Sequence, residues 1–320
     1  MGSYEKINYN LRPAKCIERK MLCEAFRRLS AFGKIESYGY VGFGSTYFSD
    51  FSMLHKSLNL CNMTSIEQDE LNKERFEFNK PFSCIDIKYG KSTDVLPLLN
   101  WNSKKILWLD YEGKLSKEIL LDLDFFCTKA VSGSIVIVSL NATPDANNEI
   151  PYEKLPKYRL KQLKTEIGEN KVPTGTVGKS FAGWGTAKVC RHVIENEIRQ
   201  ILNTRNVEYE KGNKLNYRQL FNFHYSDGAK MLTTGGIIYE EGDANHLAQC
   251  SFDDLSFIRQ REQEYRIDVP NLTFKEIRHL NEQLPPKGQE EASAPAVKPS
   301  DAKNYEKIYR HFPSFTEANL

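Results

Sequence analysis

The chain has 320 residues, with 44 Lys+Arg against 42 Asp+Glu and a formal net charge of +2. Hydrophobic residues make up 40% and aromatics 12%, enough for a core of one large domain with additions or two small ones, which excludes wholesale disorder. The near-neutral balance excludes a histone-like nucleic-acid coat, and a local basic patch is the remaining way to meet phosphate.

Residues 12–30 open with Pro13 and repeat Ile17, Met21, Leu22, Ala25, Phe26 and Leu29 at three- and four-residue steps, which predicts an amphipathic helix. Lys15, Arg19, Lys20, Arg27 and Arg28 fall mostly on its other faces, either as a solvated face or as a strip that meets phosphate or substrate. A regular alternation follows. Residues 37–43, 63–69, 84–90, 104–111 and 133–142 read as short strands, and the stretches between them as helices. Because the strands are near-continuous apolar runs, the alternation predicts a parallel sheet covered on both faces.

After Pro144 the rhythm breaks. Residues 145–220 read as an insertion or lid: a charged helix, a loop with glycines at 168, 175, 178, 183 and 185, and a further helix. The sheet resumes at 221–242, where two β-type runs flank Ser226-Asp227-Gly228-Ala229-Lys230, a hairpin signal that adds an antiparallel last pair. The expected architecture is therefore an N-terminal basic helix (1–36) and a Rossmann-like, mostly parallel seven-stranded α/β domain (37–251). A helical segment (252–284), a flexible linker (285–303) and an aromatic segment able to dock on the body (304–320) complete it.

The glycine motif Gly42-Phe43-Gly44-Ser45 closes the first strand and opens a helix, and Glu67 closes the second strand, where a carboxylate can accept from a ribose diol. A dinucleotide fingerprint wants a small sixth residue, and here it is Tyr47; an adenosine-type cofactor without a pyrophosphate suits the turn better. Gly90, Lys91 and Ser92 form a polar turn after the third strand, and Asp110 ends the fourth, followed by Tyr111. Asn141 ends the fifth and can orient a substrate or cap a loop. Residues 174–180 resemble a phosphate-binding P-loop, but Pro173 replaces its first glycine and a charged helix precedes it, so a mobile lid is the better reading. His192, His224, His246, His279 and His311 show no ligand spacing, nor do the seven cysteines, so no metal is expected. Free thiols and the lack of an apolar leader or 20-residue apolar span lead to a cytoplasmic expectation with no membrane partner.

With these residues in view, RPAKCIERKM, YGYVGFGSTYFSDF, ILWLDYEG and MLTTGGIIYEE resemble class I S-adenosylmethionine-dependent methyltransferases, more narrowly a bacterial group labelled O-methyltransferases and loosely linked with antiviral defence. The resemblance covers about residues 12–142 and 221–242. It implies S-adenosylmethionine as cofactor, with Gly42, Phe43, Gly44 and Ser45 at the methionine part, Glu67 at the ribose, and Gly90, Lys91 and Ser92 at the adenine. Asp110 and Tyr111 would lie at the reacting end as the catalytic candidates for removing the acceptor's proton, beside a residue of the 168–187 loop, with Asn141 and Arg19 toward substrate. The alternatives are an inactive cofactor sensor holding a protein partner at 304–320, and a nucleic-acid-binding subunit using Lys15, Arg19, Lys20, Arg27 and Arg28.

Overall fold

A computed structural model describes residues 12–210, 212–288 and 291–313. Helix α1 (Pro13–Arg27) starts on its proline, whose missing N–H costs nothing in a first turn. Strand β1 (Gly39–Gly42) follows, then α2 (Ser49–Leu58), β2 (Asn62–Glu67), α3 (Lys73–Asn79) and β3 (Ile85–Tyr89). The alternation continues through α4 (Ser92–Val95), β4 (Lys105–Asp110), α5 (Lys117–Lys129) and β5 (Ser134–Asn141). Ser116 caps α5 by accepting from the Ile119 amide. Strands β1 to β5 pair in parallel in the order β3-β2-β1-β4-β5.

Side chains alternate across this sheet and fill two separate cores. Ile106 and Trp108 of β4 face α1 and α2, whereas Leu107 and Leu109 face α5. The chain then forms α6 (Leu155–Ile167), α7 (Gly185–Arg205) and the hairpin β6 (Leu215–Ser226) and β7 (Lys230–Glu240), with β7 antiparallel to both β5 and β6. The stretch expected to be an insertion at 145–220 thus divides in two. Residues 145–184 hold α6 and loops, while α7 buries Val193, Ile194, Ile198 and Leu202 in the α5-side core as an ordinary crossover helix.

The sheet has eight strands, one more than expected. After α8 (Ala244–Gln249), β8 (Tyr265–Ile267) adds itself parallel to β6 at Phe223–Tyr225. Residues 252–284, expected to be helical, are instead this strand, loops and the short helix α9 (Phe274–Asn281). Charged neighbours such as Arg261, Glu262 and Glu264 hide a three-residue edge strand from a periodicity test. Helix α9 is capped by Thr273 and Glu276, which bond each other's backbone amides. Helix α10 (Pro299–Ile308) begins inside the expected linker, and Gln283 bonds Ser293 in both directions. Tyr305 and Ile308 are buried against the chain's own body, and His311 pairs with Glu24 of α1 at 2.7 Å. The rest of the expected docking segment, 314–320, lies outside the described residues. Among the described residues, no helix is long and apolar enough to cross a membrane.

One ion cluster joins α1 to the sheet. The Lys15 ammonium, 1% exposed, lies 2.6 Å from Glu18 and 2.7 Å from Asp110 at the end of β4, and 4.6 Å above the Trp108 ring. Burial pulls its pKa down, but the Asp110 and Glu18 carboxylates outweigh that and hold it above the ordinary lysine range. Glu18, fully buried, is pushed above the usual carboxylate range by that burial despite Lys15. Removing a partner from a buried cluster of this kind leaves an uncompensated charge. Lys15→Met is therefore expected to cost about 3–5 kcal/mol in urea unfolding. A loss of under about 1 kcal/mol would show that α1 docks without the ammonium.

Candidate functional site

The sheet order reverses direction between β1 and β4, so their following helices leave on opposite faces and a crevice opens at their carboxyl ends. A cleft of about 390 Å³ lies there. Its walls come from Arg12 just before α1, Arg19 of α1, the turn after β1 (Phe43, Gly44, Ser45), Asp50 of α2, the end of β4 (Asp110) with Tyr111 after it, Asn141 of β5 and the β6–β7 turn (Asp227, Gly228). The structure thus brings Arg19, Phe43, Gly44, Ser45, Asp110, Tyr111 and Asn141 to one place.

The glycine turn is built for close packing. A Cβ on Gly44 would come within 2.7 Å of the Phe48 ring and of Ser65 Oγ, and one on Gly42 within 2.7 Å of the Tyr40 hydroxyl. Gly44 N–H donates to Ser65 Oγ at 3.0 Å, and that hydroxyl donates to Glu67 Oε1 at 2.9 Å. Glu67 lies below the turn and is not a wall of the cleft. Burial raises its pKa to about 7, against the pull of Ser65 and of the Ser45 and Gly44 amides.

Gly42, Gly90, Lys91 and Ser92 also stand outside the cleft wall. Lys91 pairs with Glu118 at 3.3 Å on the surface, and Ser92 Oγ is 3.5 Å from the Tyr111 hydroxyl. Neither residue expected at the reacting end is unengaged. Asp110 holds Lys15, and Tyr111 donates to Asp122 while its ring meets Phe43 edge-on at 5.2 Å. Burial, then the Asp122 charge, lift the Tyr111 hydroxyl far above the ordinary tyrosine range. Asp50 accepts from the Tyr40 hydroxyl, and burial raises its pKa despite Arg19.

Arg12, Asp50 and Asp227 are cleft residues that sequence analysis does not assign. For Asp227 a signal existed, since it sits in the hairpin turn, and antiparallel pairing with β5 carries that turn to the end of the parallel strands. The backbone N–H of Lys15 donates to Asp227 at 3.1 Å, and Arg12 Nε lies 3.5 Å from the same oxygen. Lys15 and Arg19 are buried, which removes them from a solvent-facing basic strip; Arg27 remains exposed.

A second cleft of about 450 Å³ shares Tyr111 and Asn141 with the first and runs between α5, α6 and α7, past Lys114, Arg159 and Phe181. Residues 173–180 are a turn and a single 3-10 turn after α6, without the strand a P-loop requires. The larger hollow, about 810 Å³ between α7 and residues 258–263, contains none of the candidate residues and mixes Arg191, Arg199 and Arg261 with Glu195, Glu262 and Asp253.

The buried Glu67 gives a pH test. A carboxyl whose folded pKa is raised to about 7 from 4.5 favours the folded state most below pH 4.5, and that advantage is lost as pH rises through 7. Glu67→Gln should therefore gain stability relative to the native chain between pH 5 and pH 8, by up to about 3 kcal/mol in chemical unfolding. Parallel pH profiles for the two proteins would contradict the burial argument.

No curated protein sequence matches the chain. Among solved structures, DesVI of Streptomyces venezuelae matches at 12% identity and a TM-score of 0.29, over 38% of this chain and 49% of that one. The O-methyltransferase from Bacillus cereus in complex with SAH matches at 10% identity and a TM-score of 0.37, over 73% of this chain and 86% of that one. The chain spans about half the length of DesVI, the first of these. A family model described as "Putative O-methyltransferase" matches residues 7–320, and the chain belongs to that family.

Proposed function

We propose that the protein is an S-adenosylmethionine-dependent methyltransferase that holds its cofactor in the 390 Å³ cleft. The observation that carries this reading is the convergence of the tight Gly44 turn and the ends of β1, β4 and β5 on one crevice, in a chain of this family. The volume suits a small-molecule ligand. The wall also has the charges a zwitterionic, sulfonium-bearing cofactor needs: Arg12 and Arg19 for a carboxylate, Asp110 and Asp227 for an ammonium, and a turn with no room for a further Cβ.

The cofactor supplies an electrophilic methyl group. The chain's own part is positioning, exclusion of water and removal of the acceptor's proton. Phe43, Gly44 and Ser45 shape the floor, Gly42 leads the chain into that turn from β1, and Glu67 with Ser65 keeps the turn's amides in place. Gly90, Lys91 and Ser92 are assigned to the adenine side, through the Ser92–Tyr111 contact. The acceptor is assigned to the adjoining 450 Å³ cleft, with Tyr111 and Asn141, common to both clefts, at the junction. Asp110 and Tyr111, bonded to Lys15 and Asp122, are assigned to the reacting end, where they orient the acceptor.

Calorimetric titration with S-adenosylhomocysteine, beside NAD and ATP, tests the reading. Micromolar binding of S-adenosylhomocysteine alone is expected, abolished in Gly44→Ala and weakened in Arg19→Ala, with folding of each variant checked by circular dichroism. Asn141→Ala should leave that affinity unchanged. Binding of ATP or NAD without S-adenosylhomocysteine would overturn the assignment.

A further inference from the structure

At the amino-terminal ends of β2 and β3, the opposite end of the strands from the cleft, three soft donors meet. His55 lies in the last turn of α2, Cys61 in the connection to β2, and Cys84 just before β3. His55 Nδ1 is 3.5 Å from Cys84 Sγ and 3.9 Å from Cys61 Sγ, and all three donor atoms lie within 4.8 Å of one another. Among the described residues this is the only group of three His, Cys, Asp or Glu side chains with such spacing.

The spacing can be compared with a metal polyhedron. Zinc bonds of about 2.0 Å to nitrogen and 2.3 Å to sulfur, at a tetrahedral angle, put nitrogen about 3.5 Å from sulfur along each edge. The His55–Cys84 separation of 3.5 Å matches that edge, and the His55–Cys61 separation of 3.9 Å is somewhat longer. The fold also explains how the donors come together. Asn59 ends α2 in the left-handed region at φ 55°, which turns the chain so that Cys61 reaches back to His55. Parallel pairing of β2 with β3 then brings Cys84 alongside. The His55 ring is fixed by Phe82, with centroids 4.4 Å apart, and Cys61 opens to solvent.

We propose that His55, Cys61 and Cys84 form a binding site for one zinc-like divalent ion, with three protein ligands and the fourth position open to water. Binding displaces the two thiol protons, so two thiolates balance the dication. The imidazole coordinates through Nδ1, which gives up the proton it now donates to the Leu60 carbonyl at 2.9 Å, and the neutral ring then carries its one proton on Nε2. The site is separate from the cleft, none of whose walls it shares, and does not depend on the chain's reaction.

The test uses the full chain, kept reduced and stripped by a chelator. Titration with zinc against a chromophoric chelator should find one high-affinity ion per chain. Cobalt should give the near-ultraviolet thiolate-to-metal band and the visible bands of a tetrahedral site. Cys61→Ser and Cys84→Ser should each weaken zinc binding by at least about a hundredfold, while Cys16→Ser leaves it unchanged. Cys61 is exposed, so its variant decides the matter even if Cys84→Ser fails to fold. No thiolate–cobalt band, or zinc affinity unaltered in Cys61→Ser, would overturn the proposal and leave the cluster as hydrogen-bonded thiols.

Discussion

The whole cleft depends on one buried ammonium. Lys15 ties α1 to Asp110 at the end of β4, with Glu18 and the Trp108 ring completing its surroundings. Trp108 is itself held, through its indole N–H on Ser139, whose hydroxyl contacts Thr233 of β7. The chain of contacts therefore runs from α1 through β4 and β5 into the hairpin. Burying an ion pair gains little over an apolar contact of the same size, because desolvation offsets most of the attraction. What the cluster does supply is a single position for α1. That position places Arg12 and Arg19 in the cleft wall and lays the Lys15 amide on Asp227.

A second constraint acts beneath the glycine turn. Gly44 must lie against Phe48 and Ser65, so its amide points down to a hydroxyl that points in turn to Glu67. A carboxylate at the end of β2 thereby shapes a loop at the end of β1, and the parallel pairing of the two strands is what brings them into reach. The cleft is the joint product of this turn, the α1 clamp and the antiparallel hairpin. Each comes from a different part of the chain.

The same logic separates the two halves of the region after β5. Helix α7 is amphipathic at a period that buries one full stripe against α5, so it belongs to the core. Helix α6 buries only Ile167 completely, and with the glycine-containing loop it forms the outer wall of the second cleft. That division puts the less buried segment at the outer wall of the second cleft.

Local residue order alone determined the alternation of strands and helices, the parallel sheet, the hairpin and the glycine turn, because each depends on periodicity or backbone freedom over a few residues. It also singled out Gly44, Asp110, Tyr111 and Asn141, which end strands of an α/β sheet or follow them within two residues and meet in the cleft. The sequence did not reveal the eighth strand, since Tyr265–Ile267 is too short and too charged at its flanks to show a period. Nor did it reveal that Lys15 and Arg19, spaced like a solvated face, would be buried, or that His55, Cys61 and Cys84 would meet across 29 residues. Those outcomes were decided only by tertiary structure, because a charge's partner and a donor's neighbours are set by which elements pack together, and that packing joins residues with no regular separation along the chain.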